Sequence, residues 1–554
     1  MWLLQAVVPF LSTAFALQSY FEWGQLPTFI FAVMVAAGFV LFVRQYYRAP
    51  GEPPLFGGWI PFVGHALEFG TNYRQLLQRL ASASGSAPAF TVFIAGTRMT
   101  FVKSALDFPH VLKESKLLSF DAFAFAVSKN VVGFKCSFDD PCYQGFDQTL
   151  PAQYRMLKGN SLNVMMERIK PALLQSMREY ERQAFSSAHL WQAEEDLNDL
   201  VSRLVWQMTA HSLFGDLIIK PLAAGEGNAV ALERSRQAFL RFDDKFALLA
   251  GGVPIWFAGK DCADGISHLK SLFARFGHGN IPSNVSEIFQ FRQEHMMNPA
   301  NGMSVHDATC FQVIFMWAMF ANTLPAACWT LFWVLRDAQC LRACREEVQR
   351  VFEPHLGSGS PALADSLRAD VMQNMPCLQS VLEETLRLGI GSLTVRVAQE
   401  HCTLALGKDK QTAVRVRKGD QVVLSPSFSH FDPEMYPDPA LFRWNRFTRP
   451  DNRTSPVARR KQGRRVPPSV ALMPFGGGAS MCPGRFLAMA EIKMLVATVL
   501  LRWDVELTTA MDGDTFAFGV TGIPSLQQVG RGGLGMLSPA DKIPCRWRVR
   551  DASK

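Results

Sequence analysis

The chain has 554 residues, 48% of them hydrophobic and 19% charged, with a formal net charge of +8. Its 11 cysteines are scattered with no CxxC pair, which argues against a disulfide scaffold and a zinc ribbon. Forty-three phenylalanines against 8 tyrosines point to large apolar interiors, and no motif or interleaved aromatic stripe supports a nucleic-acid binder.

Two apolar blocks open the chain. Leu26 to Val43 carries no charge over 18 residues, near the minimum that spans a bilayer as a helix. Arg44 and Arg48 follow, so the positive-inside rule assigns everything downstream to the cytoplasm. The earlier block, Met1 to Leu17, has no basic start and no clear cleavage site. It reads as retained, with a signal-like segment, a second span and an interfacial stretch all open. Ala49-Pro-Gly-Glu-Pro-Pro is a stiff linker, and predicts a membrane anchor over 1–48 ahead of one catalytic domain over 49–554. In that topology the sequons at Asn284 and Asn452 face the cytosol.

Phe311 to Arg336 predicts a long apolar helix with a kink at Pro325, which lacks a backbone donor. Cys340 and Cys344 fall four apart on the next helix, as packing residues. Val381 to Leu388 reads as a helix carrying Glu384 and Arg387 three apart on one face. Ser392 to Ala398 reads as a strand, followed by a charged hairpin near 408–420. Seven cations then crowd together: Arg449, Arg453, Arg459, Arg460, Lys461, Arg464 and Arg465. Such a run is a solvated loop or a surface that steers an acidic partner.

The most specific stretch follows, Pro474-Phe-Gly-Gly-Gly-Ala-Ser-Met-Cys482-Pro-Gly-Arg-Phe, running into apolar residues at helical spacing. Three glycines allow a tight turn and close approach to something flat. A cysteine at a helix N-terminus has its thiolate stabilised by unpaired N–H groups, and thiolate is an axial ligand of haem iron.

This loop resembles the haem-binding loop of the cytochrome P450 family. Glu384 and Arg387, with the later Pro439-Ala-Leu-Phe-Arg-Trp-Asn-Arg446-Phe, are similar to the family's structural Glu–Arg–Arg network. Ala318-Met-Phe-Ala321-Asn322-Thr323-Leu-Pro325 is similar to its oxygen-handling helix, with departures. Ala321 stands in place of an acid, Asn322 in place of the key threonine and Met319 in place of a glycine. That pattern resembles the branch holding the sterol 7α- and 12α-hydroxylases and prostacyclin synthase. So do Gly51-Glu-Pro-Pro-Leu, His430-Phe-Asp-Pro-Glu and Arg531-Gly-Gly-Leu-Gly-Met.

The resemblance implies a mainly α fold with a smaller β-rich part, and haem between two core helices. It implies haem b (heme b, iron protoporphyrin IX) on Cys482, with Arg396, Phe475, Tyr154 and Lys158 as further cofactor contacts. Ser480 departs from the family's propionate arginine. Asn322 and Thr323 become the catalytic pair, and Phe120, Phe123, Phe125, Ala318 and Leu534 the substrate contacts. The implied activity is a membrane-bound monooxygenase acting on a sterol or similar apolar molecule. Its electrons would come from NADPH through NADPH-cytochrome P450 reductase, and its place would be the cytoplasmic side of the endoplasmic reticulum membrane. The other readings are an endoperoxide isomerase that needs no reductase and a non-catalytic haem or sterol carrier.

Overall fold

The computed structural model describes residues 33–550 apart from 35, 41–42, 44–45, 61, 185–189, 223–224, 276–280, 353–368, 373, 408–409, 449–458, 509–522 and 528–530. Most of the predicted span at 26–43 and all of the first apolar block lie outside these residues, as do Arg449, Asn452 and Arg453. The described chain is mainly helical with a smaller β part, in two compact units.

The first unit holds residues up to Phe120 and Val395–Ser425. It contains β1 (Leu55–Phe56), α1 (Ala66–Ala83), β2 (Ala89–Ile94), β3 (Thr97–Val102), β4 (Leu118–Ser119), β5 (Thr394–Ala398), β6 (Cys402–Leu406), β7 (Thr412–Val416) and β8 (Gln421–Leu424). Six strands form one sheet in the order β1-β2-β3-β8-β5-β4. Ala95 and Gly96 join β2 to β3 with φ of 46° and 78°, a turn whose twist matches the antiparallel pair. β6 and β7 form a hairpin over 402–416, a few residues upstream of the charged hairpin expected near 408–420. Glu52, from the proline-rich linker, accepts from both Arg98 and Arg417, which pins the linker to the sheet.

The second unit holds Asp121–Thr394 and the chain from Pro426 on. Its longer helices are α2 (Asp121–Val132), α3 (Gly159–Gln183), α4 (Leu197–Phe214), α5 (Asn228–Ala250), α6 (Lys260–Ala274), α7 (Glu287–Met297), α8 (Val305–Phe320), α9 (Thr323–Arg336), α10 (Ala338–Phe352), α11 (Pro376–Gly389) and α12 (Arg485–Arg502). α9 is buried from Thr323 to Val334 and packs against α4, α10, α11 and α12. An all-round apolar helix belongs at the centre of a large core. Val305–Arg336 is the one run among the described residues long and apolar enough to cross a membrane. With 78% of its apolar window buried, it is the core helix pair α8 and α9.

The predicted single helix is therefore two. Pro325 supplies no N–H to the carbonyl of Ala321 and crowds it, so the break falls one turn upstream, at Ala321 and Asn322. Ser304 caps the start of α8, accepting from the Asp307 N–H at 3.0 Å and donating to its carboxylate at 2.7 Å.

α12 carries a buried acid, Glu491, which accepts a hydrogen bond from the Thr209 hydroxyl of α4 at 3.1 Å. Burial pushes its carboxyl from 4.5 up to about 8. The folded protein thus keeps a proton that the unfolded chain releases above pH 4.5. Folding is opposed by about 1.4 kcal/mol more for each pH unit through that window, and the penalty stops growing near the folded value. Glu491→Gln is expected to raise the thermal midpoint relative to wild type at pH 8, with the difference closing towards pH 4.5. Calorimetric scans across that range check both the sign and the window.

Candidate active site

Gly476 and Gly478 take φ of 70° and 69°, a left-handed conformation open to glycine at little cost, and the chain turns back on itself. The Cys482 N–H closes the loop by donating to the Phe475 carbonyl at 2.9 Å. α12 begins three residues later, and the N–H groups of Gly484 and Arg485 point at the sulfur. Burial is the stronger influence and pushes the Cys482 thiol up, with those two N–H groups and the Arg485 charge pulling it down. The helix terminus alone therefore does not give the free thiol the lowered pKa expected of it, because desolvation outweighs two hydrogen bonds.

Cys482 is nevertheless accessible. A sulfur both enclosed and accessible lies on the wall of an interior hollow. Tyr154 behaves alike: it is 40% exposed, burial pushes its hydroxyl up to about 12, and Cys482 is among the neighbours that raise it. On α8, Ala318 is exposed and Ile314 half-buried, with Asn322 half-buried one turn on, while most of the surrounding helix is buried. A line of accessible residues four apart on a core helix is a face turned to open space. Leu534, with Gly532 and Gly533, is half-buried in the C-terminal loop. An accessible thiol with two N–H donors and an accessible helix face with Ala318 at its centre fit a flat, thiolate-bound haem.

The geometry at the helix break settles which end of Asn322 is free. Its Oδ1 accepts from the Met536 N–H at 2.9 Å, and a Cβ on Gly535 would collide with it. Flipping the amide would set NH2 against N–H, so Oδ1 is fixed and Nδ2 is the end left over. Nδ2 has no hydrogen-bond partner among the described residues. The Thr323 hydroxyl donates back to the Met319 carbonyl at 3.0 Å.

Glu384, Arg387 and Arg446 come together. The Glu384 carboxylate, fully buried, accepts from Arg387 Nε at 2.7 Å and Nη2 at 2.8 Å, and from Arg446 Nε at 2.8 Å. Arg387 also donates to the carbonyls of His430 and Pro439, at 2.8 and 2.6 Å. His430 extends the network: its Nε2 accepts from the Met473 N–H at 2.9 Å, so the proton sits on Nδ1, which bonds the Arg387 carbonyl at 3.0 Å. Met473 immediately precedes the Cys482 loop. His430 stood in a recognised motif without a role, and its role appears only when α11 and the loop are brought together.

Other expected site residues are placed differently. Phe125 is buried in an aromatic cluster with Phe134, Phe138 and Tyr143, and so stands in the core; Phe123 is half-buried. Phe475 is half-buried and Lys158 exposed at the start of α3. In the first unit, the Arg396 guanidinium lies 5.5 Å from the Phe120 ring and donates to the Val395 carbonyl at 2.8 Å. Of the cationic run, Arg459 lies 4.5 Å from the Tyr436 ring and Lys461 pairs with Asp432, which leaves Arg460, Arg464 and Arg465 exposed. A separate groove of about 560 Å³ is lined by Phe475, Arg485, Phe486 and Lys493 among others. Cys482, Ala318 and Asn322 do not line it.

A sequence model of the family Cytochrome P450 matches residues 278–527. Relatives extend the likeness over most of the chain. Cytochrome P450 7B1 of Mus musculus is 28% identical over 86% of this chain and 89% of its own. Cholesterol 7-alpha-monooxygenase of Cricetulus griseus is 28% identical over 95% of this chain and 98% of its own. The 7-alpha-hydroxycholest-4-en-3-one 12-alpha-hydroxylase of Homo sapiens is likewise 28% identical, over 95% and 99%. The chain belongs to the cytochrome P450 family. A haem-thiolate cofactor follows from the family, and Cys482, at the start of α12, is this P450's accessible thiol on the hollow.

Removing the Glu384 charge from this P450 would leave two buried guanidiniums uncompensated. Glu384→Ala is expected to lower stability by about 3–5 kcal/mol and to loosen haem retention through His430 and Met473. Urea unfolding and haem content after gel filtration check the two effects.

Proposed function

We propose that this cytochrome P450 monooxygenase hydroxylates a sterol or a similarly apolar molecule in the hollow between α8 and the Cys482 loop. The observation that carries the reading is the accessible thiol together with the Ile314–Ala318–Asn322 face. The relatives' names, which include a cholesterol 7-alpha-monooxygenase and a sterol 12-alpha-hydroxylase, support the substrate class.

Cys482 would hold the haem iron through its thiolate in this reading, and the N–H groups of Gly484 and Arg485 would spread its negative charge. Arg396, Tyr154 and Lys158 are the candidate partners of the haem propionates, with Phe475 packing beside the loop. The haem, when bound, supplies dioxygen activation. The chain's own groups orient and protect. Ala318 would leave room for the cofactor, Leu534 would bound the substrate, and Phe120 and Phe123 would be further substrate contacts. Asn322, its oxygen held by Met536, offers only N–H donors. Thr323 spends its hydroxyl on Met319, so proton delivery falls to water ordered by the Asn322 amide rather than to a side-chain acid.

Electrons come from NADPH through a reductase, for which the exposed Arg460, Arg464 and Arg465 are the steering charges. Residues 1–48 anchor the protein in the endoplasmic reticulum membrane, and 49–554 form its cytoplasmic catalytic part. A second reading is favoured by one observation: Ala321, Asn322 and Thr323 offer no free acid or hydroxyl. An endoperoxide isomerase needs none.

The reduced, carbon monoxide-bound protein is expected to show the red-shifted Soret band of a thiolate adduct, and Cys482→Ala to lose it. Cholesterol-like sterols are expected to move the ferric protein from low to high spin and to be hydroxylated when reductase and NADPH are present. Turnover of an endoperoxide without reductase, with no response to sterols, would replace the first reading by the second. Absence of the band in folded, haem-loaded protein would remove both.

A further inference from the structure

The break between α8 and α9 leaves a buried carbonyl without its helical donor. Pro325 has no N–H, so the Ala321 oxygen lacks the bond it would accept from four residues on. Arg531 fills that vacancy from the far end of the sequence, donating through Nη2 to the Ala321 oxygen at 2.6 Å. Its Nε donates to the Met536 carbonyl at 3.2 Å, and Nη1 pairs with Asp243 of α5. The other Asp243 oxygen accepts from Trp317 Nε1 at 2.8 Å, and the Trp317 ring stacks on Phe246 with centroids 3.7 Å apart. Arg531 is buried, so each of these bonds is made away from water, where an unfilled partner is costly.

One guanidinium thus ties three elements: the broken helix, the C-terminal loop and α5. The same loop supplies the Met536 N–H that pins Asn322 Oδ1, and Gly535 gives the amide the room it needs. A loop displaced from Ala321 would release Asn322 to rotate, and its N–H donors would no longer hold one direction. The planar fork suits this task, because three differently directed acceptors are held by one rigid group.

We propose that Arg531 is a positioning residue of the catalytic hollow, fixing the helix break and thereby the direction in which Asn322 offers its amide hydrogens. The proposal rests on the reading above that Asn322 faces the cofactor side of the hollow. Asp243 is its counter-ion, and makes α5 part of the same support.

The test uses full-length, haem-loaded protein and the carbon monoxide stretching frequency of the reduced adduct, which responds to hydrogen-bond donors near the ligand. Asn322→Leu is expected to shift that frequency. Arg531→Met combined with Asp243→Leu removes both buried charges together and leaves neither unpaired. It is expected to shift the frequency the same way, and adding Asn322→Leu is expected to change it no further, since groups acting through one another are not additive. A wild-type frequency in the Arg531→Met/Asp243→Leu protein overturns the proposal. Should that protein not hold haem, Arg531→Lys decides: one ammonium cannot reach Asp243, Ala321 and Met536 together, so a shift supports the proposal and a wild-type frequency overturns it. If Asn322→Leu is itself silent while the thiolate band is normal, the proposal falls and the P450 reading stands. If wild-type protein with haem shows no thiolate band, it is the earlier reading that fails.

Discussion

The Glu384 carboxylate, wholly removed from water, is the constraint on which the Cys482 side of the molecule depends. A buried charge is tolerable only when its partners surround it, and here two guanidiniums and the Arg443 N–H do so. Those guanidiniums in turn satisfy carbonyls of the irregular segment between His430 and Leu441. Irregular backbone inside a protein needs such donors, since no sheet or helix supplies them. Through the fixed tautomer of His430 the order passes to Met473 and so to the glycine turn before Cys482. The thiol is held in place by a network that never touches it.

A second buried cation does corresponding work at the break between α8 and α9. Pro325 creates an acceptor that the helix cannot satisfy, and Arg531 satisfies it. The two networks share a logic: a group made costly by local sequence is matched by an arginine whose fork reaches several acceptors at once. They differ in charge balance. Glu384 faces two cations, whereas Arg531 and Asp243 are paired one to one, with the Trp317 N–H as the extra donor.

At the break between α8 and α9, the described chain is sparing in free polar groups. Ala321 replaces an acid and Thr323 turns its hydroxyl into the helix, which leaves the Asn322 amide as the donor on that face. A pocket of this kind recognises shape and apolar surface first and grants polar contact at one point. That agrees with a rigid, mostly hydrocarbon substrate, and it makes the direction of a single amide a matter of consequence for the chemistry.

The sequence by itself determined the family resemblance, the cysteine at the start of a helix and the identity of the Glu384, Arg387 and Arg446 cluster. Those features are encoded in short motifs whose chemistry is intelligible from residue type and order. It determined that Pro325 must disturb its helix, because a missing N–H is a local fact. Only the tertiary structure decided that the break falls at Ala321 and Asn322, that Phe125 serves the core, and that burial outweighs the helix terminus at the Cys482 thiol. Only it brought Arg531 to Ala321 and Asp243, and His430 to Met473, across separations of 210, 288 and 43 residues. The physical reason is that a hydrogen bond between distant segments leaves no period or spacing in the sequence. Which acceptor lacks a donor, and which donor arrives to meet it, is fixed only when the core closes and water is gone.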